Sequence, residues 1–105
     1  MIGAREIAAI RRGSILVNAA RGPLLDYDAV CDALDSGHLF AAAFDVFPTE
    51  PIPPGDRLLT TPNVVLTPHL AGATQQTALL AADMCAVAVK DFLHGSRETG
   101  ATRIR

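Results

Sequence analysis

The chain has 105 residues, 50% of them hydrophobic, with no tryptophan and a formal net charge of −2. This length fits one compact domain with an aliphatic core, and the charge, without any lysine- or arginine-rich run, argues against a nucleic-acid partner. The first residues lack the apolar core of a signal peptide, and no uninterrupted apolar stretch reaches the roughly 18 residues of a membrane helix, so we expect no membrane partner.

The beginning of the chain predicts a short helix followed by a strand. Apolar residues recur at helical spacing over residues 3–12, and Gly13 follows them as a C-cap. Residues 14–18 form a short apolar run bounded by turn formers, which is typical of a strand covered on both faces. Asn18, at the end of this run, is expected to serve the turn that follows.

The remaining elements continue this alternation of helix and strand. Asp26 can cap a second helix that ends at Gly37. Residues 41–47 are again a nearly continuous apolar run, a proline-rich connection follows, and residues 64–67 predict a third strand. The longest helix is expected over residues 74–94.

Apolar strands that alternate with helices indicate a parallel sheet with helices on both faces. We therefore predict an α/β fold, a partial doubly wound (Rossmann-like) sheet of about three strands with flanking helices and a long C-terminal helix. Three strands are few for an independent sheet of this class, so the chain is interpreted as a piece of a larger domain.

The two cysteines, Cys31 and Cys85, both fall within predicted helices and show no metal-ligand spacing. We expect buried free thiols in a reducing cytoplasm and no metal site, with a disulfide as the less favoured alternative. His38 and His94 each lie at the C-terminus of a predicted helix beside a glycine, where an imidazolium complements the helix dipole, so they are assigned no chemistry.

Polar residues follow the ends of all three predicted strands, where ligands bind in open parallel sheets. Arg21 can hold a carboxylate with two parallel hydrogen bonds, or it can anchor a loop or pair with an acid. His69 can carry a proton near neutral pH and Glu50 can fix its tautomer; alternatively, they are a structural histidine and a solvated loop carboxylate. Asp45 must be hydrogen-bonded, either by a ligand or by a neighbouring backbone turn.

Three segments of the chain resemble the motifs of one family, the D-isomer-specific 2-hydroxyacid dehydrogenases. Residues 13–26 (GSILVNAARGPLLD) are similar to its G-x-x-L-V-N-x-x-R-G-x-x-V-D signature. Residues 44–51 (FDVFPTEP) are similar to L-D-V-F-x-x-E-P, and residues 62–74 (PNVVLTPHLAGAT) to P-N-V-x-x-T-P-H-x-A-x-x-T. The order of the motifs and of the elements between them also agrees, up to about residue 95.

This resemblance implies an NAD(P)-dependent oxidoreductase that interconverts a 2-oxo acid and a D-2-hydroxy acid, with three catalytic residues. Arg21 would bind the substrate carboxylate, His69 would exchange a proton with the substrate oxygen, and Glu50 would hold His69. Asp45 would contact the nicotinamide end of NAD, or of NADP, which is not excluded. The residues implied in cofactor binding are Ala19, Ala20, Arg21, Asp45, His69, Leu70, Ala71 and Gly72.

The family's glycine-rich dinucleotide loop has no counterpart, because the sequence contains no G-x-G. We therefore expect residues 1–95 to be the C-terminal part of an NAD-binding domain and residues 96–105 to be a flexible tail. A missing N-terminal half is expected, the chain alone is predicted to be inactive, and full-length relatives are expected to be homodimers. The alternatives are a non-catalytic module of the same fold that acts as a corepressor or binds a homologue in trans, and a poorly folding pseudogene product.

Overall fold

The computed structural model describes residues 1–95 and divides into two compact units, Met1–Ala71 and a second that begins at Gly72. The predicted tail at residues 96–105 lies outside the described residues. The first unit contains the helices α1 (Ala4–Ala8) and α2 (Tyr27–Asp35), the strands β1 (Ser14–Asn18), β2 (Leu39–Phe44) and β3 (Val64–Leu66), and two short 3₁₀ turns (Gly22–Leu24 and Arg57–Leu59).

The three strands form one parallel sheet, as predicted, and the structure gives their order as β1-β2-β3. Asn18 lies opposite Phe44 on the neighbouring strand, and Phe44 lies opposite Leu66 on the next. The carboxyl ends of all three strands are therefore level. The pairing extends one step further, since the Asp45 amide donates to the Asn18 carbonyl at 3.0 Å. Residues that follow these strands consequently begin at the same edge of the sheet.

Helix α2 packs on one face of this sheet and closes the core. Its N-cap is Asp26, whose side chain accepts a hydrogen bond from the Ala29 amide at 3.1 Å. Val30 on α2 and Phe44 on β2 are almost fully buried and belong to one apolar cluster. Burial of such side chains contributes about 1.5–3 kcal/mol each, so this cluster supplies much of the stability of the first unit.

The prediction that the strands are covered on both faces is wrong for the part of the chain that the structure describes. Side chains alternate between the two faces of a strand, and α2 covers only one of them. The opposite face exposes large apolar side chains on all three strands. They are Ile15 and Val17 on β1, Phe40 on β2 and Val65 on β3.

The second unit contains a helix, α3 (Gln75–Leu93), close to the predicted bounds. Thr74 is its N-cap and accepts a hydrogen bond from the Thr77 amide at 3.0 Å. No described residue of α3 is buried, so Cys85 is exposed and the prediction of a buried thiol there is wrong. Cys31 is buried as predicted, and both cysteines are free. Within residues 1–95, no helix combines the length and the hydropathy needed to cross a membrane.

Candidate functional site at the carboxyl edge of the sheet

Glu50 and His69 form a hydrogen-bonded pair beyond the ends of β2 and β3. The His69 ring nitrogen Nδ1 lies 2.8 Å from Glu50 Oε2. The other carboxylate oxygen, Oε1, accepts a hydrogen bond from the Phe47 amide at 2.9 Å. Hydrogen bonds to His69 and then to the Phe47 amide lower the pKa of Glu50. The carboxylate is therefore ionised near neutral pH and held between its own turn and the histidine.

Asp45 is buried, 7% exposed, and its carboxylate is held by the turn that follows β3. Oδ1 accepts hydrogen bonds from the Thr67 hydroxyl and from the Leu70 amide, and Oδ2 accepts one from the Ala71 amide. The Thr67 hydroxyl, followed by the Ala71 amide, lowers the pKa of Asp45. The sequence left open whether a ligand or a neighbouring backbone turn provides the hydrogen bonds of this carboxylate. In the structure the backbone turn provides them.

The turn that Asp45 holds contains His69, which adopts a left-handed backbone with φ of 55°. A residue other than glycine rarely adopts this conformation, which costs about 1–3 kcal/mol and persists only where surrounding interactions enforce it. The Asp45 carboxylate accepts hydrogen bonds from the two amides that follow His69, and the Thr67 backbone carbonyl accepts one from the His69 amide at 3.0 Å. These hydrogen bonds stabilise the conformation that turns the His69 ring towards Glu50.

Arg21 follows β1 at the same edge, and its side chain is exposed. Its Nη1 donates to the Ala20 carbonyl at 2.7 Å, and within residues 1–95 it forms no ion pair with an acid. The backbone of this loop is held more firmly than the side chain. The Asn18 side chain donates to the Arg21 carbonyl at 3.1 Å and accepts from the Ala20 amide at 3.1 Å, which confirms its predicted role in the turn.

Gly22 brings the Arg21 loop against the segment that leads to Glu50. A Cβ atom at this position would overlap the Phe47 carbonyl group and the Pro48 nitrogen, so only glycine permits the approach. Phe47 in turn donates its amide to Glu50. The Arg21 loop and the Glu50 turn are therefore in direct backbone contact, although no hydrogen bond joins the two charged side chains among the described residues.

Two concave regions lie at this edge. The larger, about 400 Å³, is mostly apolar and includes Glu50, Thr67 and His69 in its lining together with Phe47 and Leu66. The smaller, about 110 Å³, lies at the last residues of the three strands and the first residues that follow them. Its lining residues are Val17, Asn18, Ala19, Ala43, Phe44, Asp45, Val65 and Thr67. An apolar cleft with a few converging polar groups is the usual form of a small-molecule site.

Only some of the predicted cofactor-binding residues lie around one cavity. Ala19 lines the smaller cavity, and the Ala20 amide is bound by Asn18. The Leu70 and Ala71 amides already donate hydrogen bonds to Asp45, so they are not free to donate to a cofactor. Gly72 begins the second unit.

Two residues of this edge, Thr67 and Tyr27, were missed in the sequence. Thr67 donates its hydroxyl to Asp45, and its place two residues before His69 in the third motif was the available signal. Tyr27, the only tyrosine, donates its hydroxyl to the Val46 carbonyl at 2.6 Å. It follows the N-cap of α2, and nothing in the local pattern pointed to the sheet edge.

Comparison with known proteins agrees with this geometry. The family model described as D-isomer specific 2-hydroxyacid dehydrogenase, NAD binding domain, matches residues 1–71. The D-3-phosphoglycerate dehydrogenase of Escherichia coli (strain K12) is 52% identical over 81 residues, which are 72% of this chain and 20% of the relative. The glyoxylate/hydroxypyruvate reductase B of Serratia proteamaculans (strain 568) is 45% identical over 87 residues, 83% of this chain and 26% of the relative.

A solved structure shows the same fold. The D-isomer specific 2-hydroxyacid dehydrogenase from Xanthobacter autotrophicus Py2, in complex with NADPH and MES, superposes with a TM-score of 0.73 at 39% identity. The superposition covers 90% of this chain and 38% of that one. The chain spans about a fifth to a quarter of the length of the curated relatives that it matches.

Proposed function

Because the chain belongs to the D-isomer-specific 2-hydroxyacid dehydrogenase family, we propose that it is a segment of an NAD(P)-dependent oxidoreductase that interconverts a 2-oxo acid and a D-2-hydroxy acid. The single observation that carries the assignment of its chemistry is the 2.8 Å contact between Glu50 and His69 at the carboxyl edge of a parallel sheet. We assign residues 1–95 to the C-terminal part of the NAD-binding domain, and the family match over residues 1–71 supports this.

His69 is proposed as the proton carrier. The ionised Glu50 accepts a hydrogen bond from Nδ1–H, so the other ring nitrogen, Nε2, is the one available to a substrate. During reduction, Nε2 would donate its proton to the carbonyl oxygen of the 2-oxo acid. During oxidation, it would accept the proton of the hydroxyl group. Glu50 would stabilise the protonated ring and keep it in one orientation.

Arg21 is proposed to bind the carboxylate of the substrate. Its guanidinium is exposed, forms no ion pair within residues 1–95, and belongs to a loop whose backbone is fixed by Asn18 and Gly22. Two parallel hydrogen bonds from one guanidinium would orient a small acid with its C2 carbon beside His69. Hydride exchange at that carbon is the chemistry that a nicotinamide cofactor would supply when bound.

The residues of this chain fit one end of such a cofactor and not the whole of it. Ala19 and Ala43 line a cavity of about 110 Å³ at the strand ends, and their two small side chains would leave room for a flat ring. Asp45 holds the turn of residues 69–71 and would shape this cavity mainly through that turn. The proposed cofactor-lining set is Ala19, Ala20, Arg21, Asp45, His69, Leu70, Ala71 and Gly72.

The chain alone is proposed to be inactive. It spans 20% of the E. coli relative and contains no G-x-G sequence to receive a pyrophosphate. The exposed apolar side chains of Ile15, Val17 and Val65 also leave one face of the sheet open to water. Incubation of the purified chain with NADH and glyoxylate is expected to give no steady turnover, and turnover would overturn this part of the proposal.

The chemistry is tested in a chimera in which residues 1–71 of this chain replace the corresponding segment of the E. coli D-3-phosphoglycerate dehydrogenase. The chimera is assayed for NADH oxidation with hydroxypyruvate, glyoxylate and 3-phosphohydroxypyruvate. Loss of general acid–base catalysis in His69→Gln should lower kcat/KM by roughly 10²–10⁴-fold. Loss of a charged clamp in Arg21→Gln should raise KM by roughly 10–100-fold.

The matched controls are His38→Gln and Arg12→Gln, which change the same residue types away from the sheet edge. His38 contacts the Ile7 carbonyl instead of an acid. Both controls should keep the activity of the parent chimera. Equal activity in the parent and in His69→Gln would contradict the proposed role of His69. We also propose a cytoplasmic location and a homodimeric full-length form, with NAD or NADP as the cofactor.

A further inference from the structure

Tyr27 joins two segments of the candidate site that are separate in the chain. Its hydroxyl donates to the Val46 carbonyl at 2.6 Å and accepts a hydrogen bond from Asn18 Nδ2 at 3.1 Å. Asn18 ends β1 and begins the Arg21 loop, whereas Val46 follows β2 and leads to the Glu50 turn. One hydroxyl group on α2 therefore connects both loops.

The hydrogen bonds of the Asn18 side chain fix which way its amide group is oriented. Its oxygen accepts from the Ala20 backbone amide, so its nitrogen must be the atom that faces Tyr27 and the Arg21 carbonyl. Both hydrogens of that nitrogen are then used. The Tyr27 oxygen accepts one of them and gives its own hydrogen to Val46. Every hydrogen that Asn18 Nδ2 and the Tyr27 hydroxyl can donate therefore has its own acceptor.

The Tyr27 ring is itself fixed by aromatic contacts at the strand end. It packs edge-on against Phe44, with ring centroids 5.0 Å apart, and lies 6.4 Å from Phe47. Burial raises the pKa of Tyr27, so the phenol stays protonated and continues to donate to Val46. The hydroxyl therefore occupies one position relative to both loops.

From these contacts we propose that Tyr27 is a positioning residue that sets the Arg21 loop relative to the Glu50–His69 pair. The proposal rests on the proposed function, because it matters for the reaction only if Arg21 binds the substrate carboxylate. Within residues 1–95, the Tyr27 hydroxyl makes no hydrogen bond to Arg21 or His69. It acts through its hydrogen bonds to Asn18 and Val46.

The first test uses the full 105-residue chain and the variant Tyr27→Phe, which keeps the ring and removes the hydroxyl. Backbone ¹⁵N relaxation is measured for residues 19–21 and for Val30 in the middle of α2. The order parameters of the loop should fall from about 0.85 towards 0.6, while that of Val30 stays near its parent value. An unchanged loop, or an equal fall at Val30, would overturn the proposal.

Ser36→Ala is the matched control for a lost hydroxyl. Ser36 donates to the Ala33 carbonyl at the other end of α2, and its removal also deletes one hydrogen bond from the same helix. The order parameters of residues 19–21 should not change in this variant. If they fall as far as in Tyr27→Phe, the loop responds to general loosening of α2 and Tyr27 has no specific role.

The second test measures Tyr27→Phe in the chimera described above. Loss of one neutral hydrogen bond to the loop should raise KM for the 2-oxo acid by about three- to tenfold. Because the Glu50–His69 pair is untouched, kcat should change by roughly twofold or less and its pH profile should keep its shape. A fall in kcat with no change in KM would overturn the proposal. The two proposals can fail separately. If the parent chimera turns over no 2-oxo acid, the proposed function is contradicted. If Tyr27→Phe still loosens the loop in the first test, the dependence of the loop on Tyr27 stands.

Discussion

Glu50 and His69 are 19 residues apart in the chain, and their side chains meet at 2.8 Å. The contact depends on two separate turns. The Glu50 carboxylate accepts a hydrogen bond from the Phe47 amide, and His69 lies in a turn whose next two amides donate to Asp45. The pair is half-exposed, which leaves it open to a small molecule in the adjoining cleft. Its orientation therefore follows from backbone hydrogen bonds on both sides.

His69→Gln is predicted to raise the pKa of Glu50 towards its ordinary value of 4.5. The His69 ring is the largest cause of the lowered pKa, whereas the Phe47 amide remains in the variant, so the return should be incomplete. The measurement is a ¹³C NMR titration of the glutamate carboxyl groups. Glu6, whose pKa is lowered by the Gly3 amide and Arg5, is the internal control and should not move. A Glu50 pKa that stays at its parent value would mean that the pair does not form in solution.

Thr67→Val is predicted to raise the pKa of Asp45. The Thr67 hydroxyl is the largest cause of the lowered value, and valine has nearly the same shape without the donor. Thr61→Val is the control, since the Thr61 hydroxyl donates to the Arg57 carbonyl, away from Asp45. The same carboxyl titration reports both variants. An equal shift of the Asp45 pKa in the control would contradict the assignment.

Asp45→Asn is predicted to break the Glu50–His69 pair although neither partner is changed. The amide of asparagine would turn a donor towards the Leu70 or Ala71 amide, so the turn that holds His69 in its left-handed conformation is released. Loss of the Asp45 charge by itself would lower the pKa of Glu50, but that is the smallest of its causes, whereas the hydrogen bond to His69 is the largest. The expected net result is therefore a rise in the pKa of Glu50, as in His69→Gln. If the Glu50 pKa stays low, the turn does not need Asp45.

Gly22→Ala is predicted to destabilise the first unit by about 1–3 kcal/mol, because the added methyl group overlaps backbone atoms that cannot move aside easily. Urea unfolding followed by circular dichroism measures the change. Gly55→Ala tests backbone strain without overlap, since Gly55 has a positive φ and open space around its Cβ position. Arg21-dependent activity in the chimera should fall in Gly22→Ala and persist in Gly55→Ala.

Stability is predicted to decrease at acid pH. The pKa values of Asp45 and Glu50 are lower in the folded chain than their ordinary values of 3.8 and 4.5. The two ionised carboxylates therefore stabilise the folded chain at pH values above 3.8 and 4.5. This stabilisation is lost as the pH falls from those values to the lower pKa values of the folded chain. Urea midpoints should drop between pH 6 and pH 3. The double variant Asp45→Asn, Glu50→Gln should start less stable and show a weaker dependence on pH; an equal dependence would exclude these two groups as its cause.

Much of the fold could be predicted from local patterns. The strand ending at Asn18, the cap at Asp26 and the long helix after Thr74 lie where periodicity and capping residues indicated. These features depend on neighbours within a few positions, which a sequence displays directly. The exposed face of the sheet could not be predicted in the same way, because an apolar run does not say which elements are present to cover it.

The sequence by itself determined that Arg21, Asp45 and His69 follow the ends of parallel strands, and parallel strands bring such residues to one edge. Only the tertiary structure decided how they are used. It directs Asp45 into the turn around His69, joins His69 to Glu50, and places the Tyr27 hydroxyl between two loops. The physical reason is that hydrogen-bond partners depend on loop paths and side-chain rotamers, which distant parts of the chain set together, whereas strands and caps are specified locally.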